Sequence, residues 1–336
     1  MVCPASVLDG PMWPVTSPGP ALLARRAALL RQGPSAKLDA ATEELRQLLA
    51  LGEPTVRRIT RGEPAELLQR LHDGEQVHPF DGPDDLADRL DEDRRCFVLE
   101  HPELPGRPLN VVWVALWRGV AGDVSEILDR SAPTDDPQAA DTAVFYSIWN
   151  VEPGAQGLPG GRRLLEGAVA ALRDELPGLQ TFITLSPIPG FRAWWEDRHP
   201  GQEPRGSDPE GEDGGDADPE VEELLGECAR YLTTQREPGR PIDPVARFHL
   251  RNGARLYGLH RHGDTSARGQ ERSFGIMANY RYEPEDRAAN RASLRSGRVA
   301  LSAAVEQRLA GGPDGPSGNI RAQFARKKPF PPEVTP

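Results

Sequence analysis

Apolar and polar positions follow different periods in the two parts of this chain. In the first ninety residues, apolar side chains recur at helical spacing, and short Gly/Pro-rich breaks separate the segments. Ser35 is a residue type that caps helix N-termini, and it stands just before the second segment. The pattern therefore predicts a short helical region over residues 1–93, with helices at residues 21–30, 38–49, 65–71 and 86–90.

From residue 94 onward, short runs of β-branched and aromatic residues alternate with loops and helical segments. The runs predict strands at residues 96–99, 109–117, 142–149, 181–185, 254–259 and 273–282. One amphipathic helix ends before Pro177 and carries one apolar face, formed by Leu164, Leu165, Ala168, Val169 and Leu172. A further helix begins near Val221. This mixture predicts an α+β domain over residues 94–309.

Charge and composition change this picture in two places. The chain has 336 residues and a formal net charge of −11. Residues 201–220 hold eight acidic residues, one arginine, several Gly and Pro residues and almost nothing apolar, so we predict a flexible insertion there. An acidic interaction site is the alternative. Residues 310–336 are rich in Gly and Pro and are predicted to form a disordered tail. The negative balance disfavours nucleic acid as a partner.

Several site classes and compartments are disfavoured by the sequence. No apolar run approaches the length of a membrane helix, and no signal peptide is visible, so we expect no membrane association. Cys3, Cys96 and Cys228 lie far apart, which excludes a disulfide framework or a CxxC zinc site and favours a reducing cytoplasm. His260 and His262 lack a third ligand at suitable spacing, so we expect no metal.

A glycine-rich loop at residues 154–161 stands between a predicted strand and the amphipathic helix. Such a loop leaves backbone N–H groups at a helix N-terminus facing outward, which suits an anion such as a pyrophosphate. Arg162 and Arg163 follow in the first helical turn and add positive charge. The loop fits neither the P-loop pattern nor GxGxxG. From these residues alone, an anion site and an ordinary glycine turn with solvent-facing arginines both remain open.

Four segments together resemble the malonyl-CoA decarboxylase family. They are AVFYSI at residues 143–148, LSPIPGF at 185–191, FHL followed by NGA within 248–254, and MANYRY at 277–282. The resemblance covers residues 94–283 apart from the acidic insertion. It implies a GNAT-like fold, which is a mixed, twisted sheet flanked by helices, with the acyl-CoA pyrophosphate on the loop 154–162.

The binding residues that this resemblance implies lie in that glycine-rich loop. They are Gly154, Gln156, Gly157, Gly160, Gly161 and Arg162. The family also uses an N-terminal helical domain in oligomer formation. That region is short in this chain, which weakens the expectation of a homo-oligomer.

The resemblance also implies roles for three side chains. His249 would be the proton donor, Ser186 would bind the malonyl group through its hydroxyl, and Tyr282 would orient His249 or the substrate carbonyl. From spacing alone, a core histidine is the favoured interpretation of His249. On the same basis, Ser186 could start a turn and Tyr282 could be a packing residue. The thioester carbonyl accepts the electrons as CO2 leaves, so the reaction needs no metal or organic cofactor, and coenzyme A belongs to the substrate.

The sequence thus predicts a malonyl-CoA decarboxylase that releases acetyl-CoA and CO2. Two other functions stay open on the same fold. One is an acyl-CoA N-acyltransferase, and the other is a non-catalytic acyl-CoA-binding protein. The pair Ser186 and His249 favours decarboxylation, because function follows from the site and not from the fold.

Overall fold

The computed structural model describes residues 18–204 and 219–311. The core of the predicted acidic insertion, almost all of the predicted tail and Cys3 lie outside these residues, so those predictions stay untested. The helices are α1 Gly19–Leu30, α2 Ala36–Leu49, α3 Ala65–Gly74, α4 Gly82–Asp88, α5 Val124–Leu128, α6 Gly161–Glu175, α7 Phe191–Glu196, α8 Pro219–Thr233, α9 Pro244–Arg251, α10 Ala267–Ser273, α11 Arg287–Arg295 and α12 Ala303–Gly311. The strands are β1 Thr55–Ile59, β2 Arg94–Glu100, β3 Asn110–Trp117, β4 Thr142–Asn150, β5 Thr181–Thr184, β6 Ser186–Pro187, β7 Gln235–Glu237, β8 Arg240–Pro241, β9 Arg255–His260 and β10 Met277–Arg281.

One mixed sheet organises the described chain. Strands β1, β2, β3 and β4 pair antiparallel in that order, and β4 then pairs parallel with β5. Strand β10 pairs antiparallel with β5 and β6 on one side and with β9 on the other. Strands β7 and β8 form a separate small hairpin. The α+β class and the mixed sheet flanked by helices confirm the prediction.

The sheet opens between β4 and β5. These strands pair only from Thr142 to Phe145. Tyr146 is an extra residue in β4, because Val114 faces Phe145 while Trp113 faces Ser147, and such a bulge bends the strand. Beyond this point β4 pairs with β3 alone, and β6 pairs with β10. The opening places the first residue of β6 at a strand end next to the gap.

Helices cover both faces of the sheet and bury two apolar clusters. Helix α6 covers one face, where Leu164, Leu165, Ala168 and Leu172 are buried as the periodicity predicts. Leu23 of α1 and Leu45 of α2 belong to the same cluster. Helices α3, α4 and α5 contribute to the cluster on the other face, with residues such as Leu71 and Ile127. The division at residue 93 stays a prediction, although the two parts share their cores.

Two predicted segments need correction. The first 93 residues are not purely helical, because Thr55–Ile59 forms β1 at the edge of the sheet. Its side chains are mostly polar, so its pairing with β2, including an Arg57–Glu100 ion pair of 2.9 Å, comes from the tertiary structure. The predicted strand 273–282 also begins too early. Ser273 ends α10, and Phe274 takes a left-handed conformation with φ of 54° before β10 begins.

Within residues 18–204 and 219–311, no helix is both long enough and apolar enough to span a membrane.

Candidate active site

The structure brings Ser186, His249 and Tyr282 into one hydrogen-bonded chain. The Oγ atom of Ser186 lies 3.1 Å from Nε2 of His249, although 63 residues separate them. The other ring nitrogen, Nδ1, lies 2.8 Å from the phenolic oxygen of Tyr282. All three side chains are buried. The arrangement holds one imidazole between two hydroxyls.

The sheet or a capped helix positions each of these three side chains. Ser186 opens β6 and pairs with Ala278, and Pro187 after it favours an extended backbone. The N–H of Tyr282 donates to the carbonyl of Phe182 at 2.8 Å, so Tyr282 continues the pairing of β10 with β5. Both hydroxyls therefore project from neighbouring, paired strands.

Helix α9 delivers His249. Asp243 caps the helix by accepting a hydrogen bond from the N–H of Ala246 at 2.8 Å, and Pro244 occupies the first turn. Tyr231 donates its O–H to the same carboxylate at 3.2 Å. Burial raises the pKa of Asp243 to about 6. The helix buries His249 and Leu250 on one face.

Burial sets the charge of the imidazole. His249 is 4% exposed and stacks on Tyr280 with ring centroids 4.6 Å apart. Desolvation lowers its pKa to about 3, because the apolar surroundings disfavour the imidazolium. Burial also raises the pKa of Tyr282 well above its usual value. Near neutral pH the free protein therefore holds a neutral imidazole and a protonated phenol.

Thr184 and Asn279 also belong to this site, although the sequence motifs did not indicate them. Thr184 Oγ1 lies 2.9 Å from Ser186 Oγ and accepts the N–H of Tyr280 at 3.1 Å. Asn279 donates to the carbonyl of Thr184 at 2.6 Å, which replaces part of the strand ladder. Both residues are fully buried. The signal for Thr184 was its position two residues before Ser186, on the same strand face.

The predicted anion-binding loop lies next to the hydrogen-bonded side chains of Ser186, His249 and Tyr282. Gly161 opens α6, and a Cβ atom there would stand 2.6 Å from the ring of Phe248, the residue before His249. Only glycine permits this approach, which brings the loop within one residue of the imidazole. The other predicted loop residues stand before Gly161 in the chain and are Gly154, Gln156, Gly157 and Gly160. Gly157 has a positive φ of 75°.

The first turn of α6 has the character that an anion site needs. Gly160 provides no side-chain cap, and the turn contains no acidic residue. Arg162 is exposed. Arg163 contacts Glu53 at 2.7 Å, but both side chains are largely exposed and the pair is weak. Positive charge and open N–H groups thus meet at one helix end.

His260 lies against a neighbouring strand, where its Nε2 atom contacts Oδ1 of Asn279. Among the residues that the structure describes, no three His, Cys, Asp or Glu side chains lie close enough together to hold an ion.

Comparisons with known proteins agree on one family. The family model for the malonyl-CoA decarboxylase C-terminal domain matches residues 52–316. The chain is 33% identical to the mitochondrial malonyl-CoA decarboxylase of Anser anser anser over 74% of its length, and 32% identical to that of Rattus norvegicus over 73%. These matches span 56% and 57% of the two relatives, so the chain covers little more than half their length.

Two solved structures are similar over most of the chain. The malonyl-CoA decarboxylase of Agrobacterium vitis is 36% identical with a TM-score of 0.77, covering 88% of this chain and 77% of that one. The enzyme of Rhodopseudomonas palustris is 34% identical with a TM-score of 0.74, covering 86% and 75%. Ser186 and His249 both lie within the residues that the family model matches. This chain belongs to the malonyl-CoA decarboxylase family.

Proposed function

We propose that this protein converts malonyl-CoA into acetyl-CoA and CO2. The observation that carries the proposal is the hydrogen-bonded chain of Ser186, His249 and Tyr282 at the open end of the sheet. Family membership and the neighbouring glycine loop support it. The loop residues Gly154, Gln156, Gly157, Gly160, Gly161 and Arg162 would hold the coenzyme A part of the substrate.

The reaction breaks the bond between the carboxylate carbon and Cα of the malonyl group. Its electron pair moves into the thioester carbonyl, CO2 leaves, and a proton then adds to Cα of the enolate. The protein must fix the carboxylate, stabilise the enolate oxygen and deliver one proton. These tasks are met by hydrogen-bonding side chains, because the thioester itself accepts the electrons.

Ser186 acts as a hydrogen-bonding group for the malonyl moiety. Its oxygen already lies between Thr184 and His249, so the hydroxyl is held at a fixed place beside the imidazole. No acyl-enzyme is needed in a decarboxylation. We therefore assign it no nucleophilic role.

His249 supplies the proton. In the free protein it is neutral, because burial lowers its pKa to about 3. A malonyl carboxylate placed beside it favours the imidazolium and raises that pKa. Substrate binding thereby draws a proton from solvent to the imidazole ring, and the resulting imidazolium can donate one proton, which matches the one proton that the reaction consumes. Tyr282 holds the ring through Nδ1.

The first test measures CO2 and acetyl-CoA release from malonyl-CoA, without added metal, for the wild type and His249→Ala. We expect turnover in the wild type and a loss of at least about a hundredfold in the variant, with CoA affinity retained. His199→Ala is a suitable control, because that histidine stacks on Trp195 and lies outside the site. Wild-type protein that binds malonyl-CoA without releasing CO2 would contradict the proposal. It would favour the binding-protein or N-acyltransferase alternatives, and an amine acceptor screen separates these two.

Compartment and assembly complete the proposal. We favour a reducing, cytoplasmic location, supported by Cys96 and Cys228, which are free and buried. Burial raises the pKa of both thiols well above its usual value. The matched goose and rat proteins are both named as mitochondrial.

We propose malonyl-CoA and acetyl-CoA as the ligands. A measurement of the molar mass in solution decides whether the protein forms a homo-oligomer.

A further inference from the structure

A buried arginine from the N-terminal helices lies directly behind the glycine loop. Arg26 of α1 is 5% exposed. One of its terminal nitrogens donates to the carbonyls of Gly154 at 2.5 Å and Gln156 at 2.8 Å. Its Nε atom donates to the hydroxyl of Thr42 at 2.8 Å. Three hydrogen bonds thus tie α1, α2 and the loop together.

This guanidinium carries a charge that no neighbouring carboxylate neutralises. Among residues 18–204 and 219–311, Arg26 forms no ion pair with an Asp or Glu side chain. Burial, with Arg46 nearby, lowers the pKa of Arg26 from its ordinary value. A buried cation is costly unless other groups solvate it, and here peptide carbonyls of the loop do so.

The bond from Arg26 to the Gln156 carbonyl fixes which way the peptide between Gln156 and Gly157 faces. In a trans peptide the carbonyl and the following N–H point in opposite directions. Because the Gln156 carbonyl points at Arg26, the N–H of Gly157 points away from α1. Gly157 is exposed, and among the described residues its N–H donates to no backbone carbonyl. A cation on the carbonyl also polarises the peptide and makes that N–H a stronger donor.

From this geometry we propose that Arg26 is a positioning residue for coenzyme A, which holds the glycine loop with the N–H of Gly157 towards the pyrophosphate. The inference rests on the proposed function for its ligand. It assigns the N-terminal helices a part in substrate binding, whereas the family resemblance implies only a part in assembly. The unneutralised charge behind the loop adds attraction for the dianionic pyrophosphate on the other side.

The test compares Arg26→Met with Arg25→Met. Arg25 is the neighbouring residue on the same helix, is about half exposed and pairs with Glu44 at 2.9 Å, so it is a matched control. The dissociation constant of CoA is measured directly. The kinetic constants kcat and KM are measured with malonyl-CoA and with malonyl-pantetheine, which lacks the pyrophosphate and the nucleotide.

We expect Arg26→Met to raise the Kd of CoA and the KM of malonyl-CoA about ten- to a hundredfold, as for loss of a charge-assisted contact. The kcat should change less than about threefold, and kcat/KM for malonyl-pantetheine should stay within about threefold. Arg25→Met should match the wild type in every constant. Arg26→Lys keeps the charge but loses the planar fork, so it should fall in between.

Two results would overturn the inference. One is unchanged CoA affinity in a folded Arg26→Met. The other is an equal loss of kcat/KM for both substrates, which indicates general structural damage. If Arg26→Met does not fold, the same comparison is made with Arg26→Lys. An equal loss of kcat/KM for malonyl-CoA and for malonyl-pantetheine in that variant would overturn the inference. Wild-type protein that binds CoA without decarboxylation contradicts only the proposed function, and absence of CoA binding contradicts both.

Discussion

The phenolic oxygen of Tyr282 lies 2.8 Å from Nδ1 of His249, on the opposite side of the ring from Ser186. A phenol is a better hydrogen-bond donor than an aliphatic alcohol because it is the stronger acid, whereas neutral imidazole accepts well. We therefore expect Tyr282 to donate to Nδ1. The imidazole then carries its hydrogen on Nε2, pointing at Ser186 Oγ, and the hydrogen of Ser186 is directed to Thr184.

Removing the Tyr282 hydroxyl should impair turnover more than binding. In Tyr282→Phe the buried Nδ1 loses its partner, and the ring no longer favours the tautomer that points Nε2–H at Ser186. We expect kcat to fall about tenfold with a smaller change in KM. Steady-state kinetics test this. Tyr257→Phe is the control, because Tyr257 lies in β9 with its ring packed under Arg281 of β10. Equal kcat in wild type and Tyr282→Phe would rule out this orienting role.

The Thr184 hydroxyl should matter through Ser186. Thr184→Val keeps the shape and removes the oxygen that contacts Ser186 and accepts the Tyr280 N–H. We expect about a tenfold loss of kcat and a loss of about 1–3 kcal/mol in the free energy of unfolding. Thr184→Ser restores the oxygen and should recover most of kcat. If the serine variant is as impaired as the valine variant, packing and not the hydroxyl is the cause.

The pH dependence of stability should report the buried imidazole. Its folded pKa of about 3 lies below the usual value of 6.5, so below pH 6.5 the unfolded state binds more protons than the folded state. With respect to this group, the free energy of unfolding is fully retained above pH 6.5 and falls as the pH decreases towards 3. Between these values the unfolding free energy should rise with pH by up to about 1.4 kcal/mol per unit from this group.

Urea unfolding of wild type and His249→Gln between pH 4.5 and 7 isolates that contribution. His78, whose pKa burial lowers to about 4, and Asp243, with a pKa raised to about 6, titrate in the same window in both proteins. Their effects cancel in the difference. We expect a shallower slope in the glutamine variant, and parallel slopes would show that His249 is not held neutral by burial.

The contact between Gly161 and Phe248 should couple the loop to α9. Gly161→Ala places a methyl group against the Phe248 ring, which must shift together with the helix that carries His249. We expect a loss of about 1–3 kcal/mol in stability and a fall in kcat/KM for malonyl-CoA. Phe248→Leu in the same chain opens the space and should recover part of both. Additive losses in the double variant would show that the two residues act independently.

Local patterns predicted the scaffold well where a single period dominates. Helix α6 follows from the spacing of Leu164, Leu165, Ala168 and Leu172, and the strand β3 from an unbroken apolar run. Strand β1 escaped prediction because an edge strand with Arg57 and Arg58 shows no apolar alternation. Its partner β2 begins 35 residues after the end of β1, and no local pattern encodes that pairing.

The sequence motifs indicated Ser186, His249 and Tyr282 as site residues, because the residue types and order of those motifs carry the family resemblance. The sequence could not bring them together, since 63 and 33 residues of chain separate the hydrogen-bonded partners. It also gave no sign of Arg26, whose role depends on α1 packing against the turn at Pro153–Ala155.

The sequence by itself determined the α+β class, the helical faces, the family and the chemical groups available for a decarboxylation. The tertiary structure alone decided the relation of those groups and the protonation state of His249. Hydrogen bonds between distant residues and the desolvation that lowers a pKa both depend on which surfaces pack together. Packing is a property of the whole folded chain, whereas periodicity and motifs record only what each segment can contribute to it.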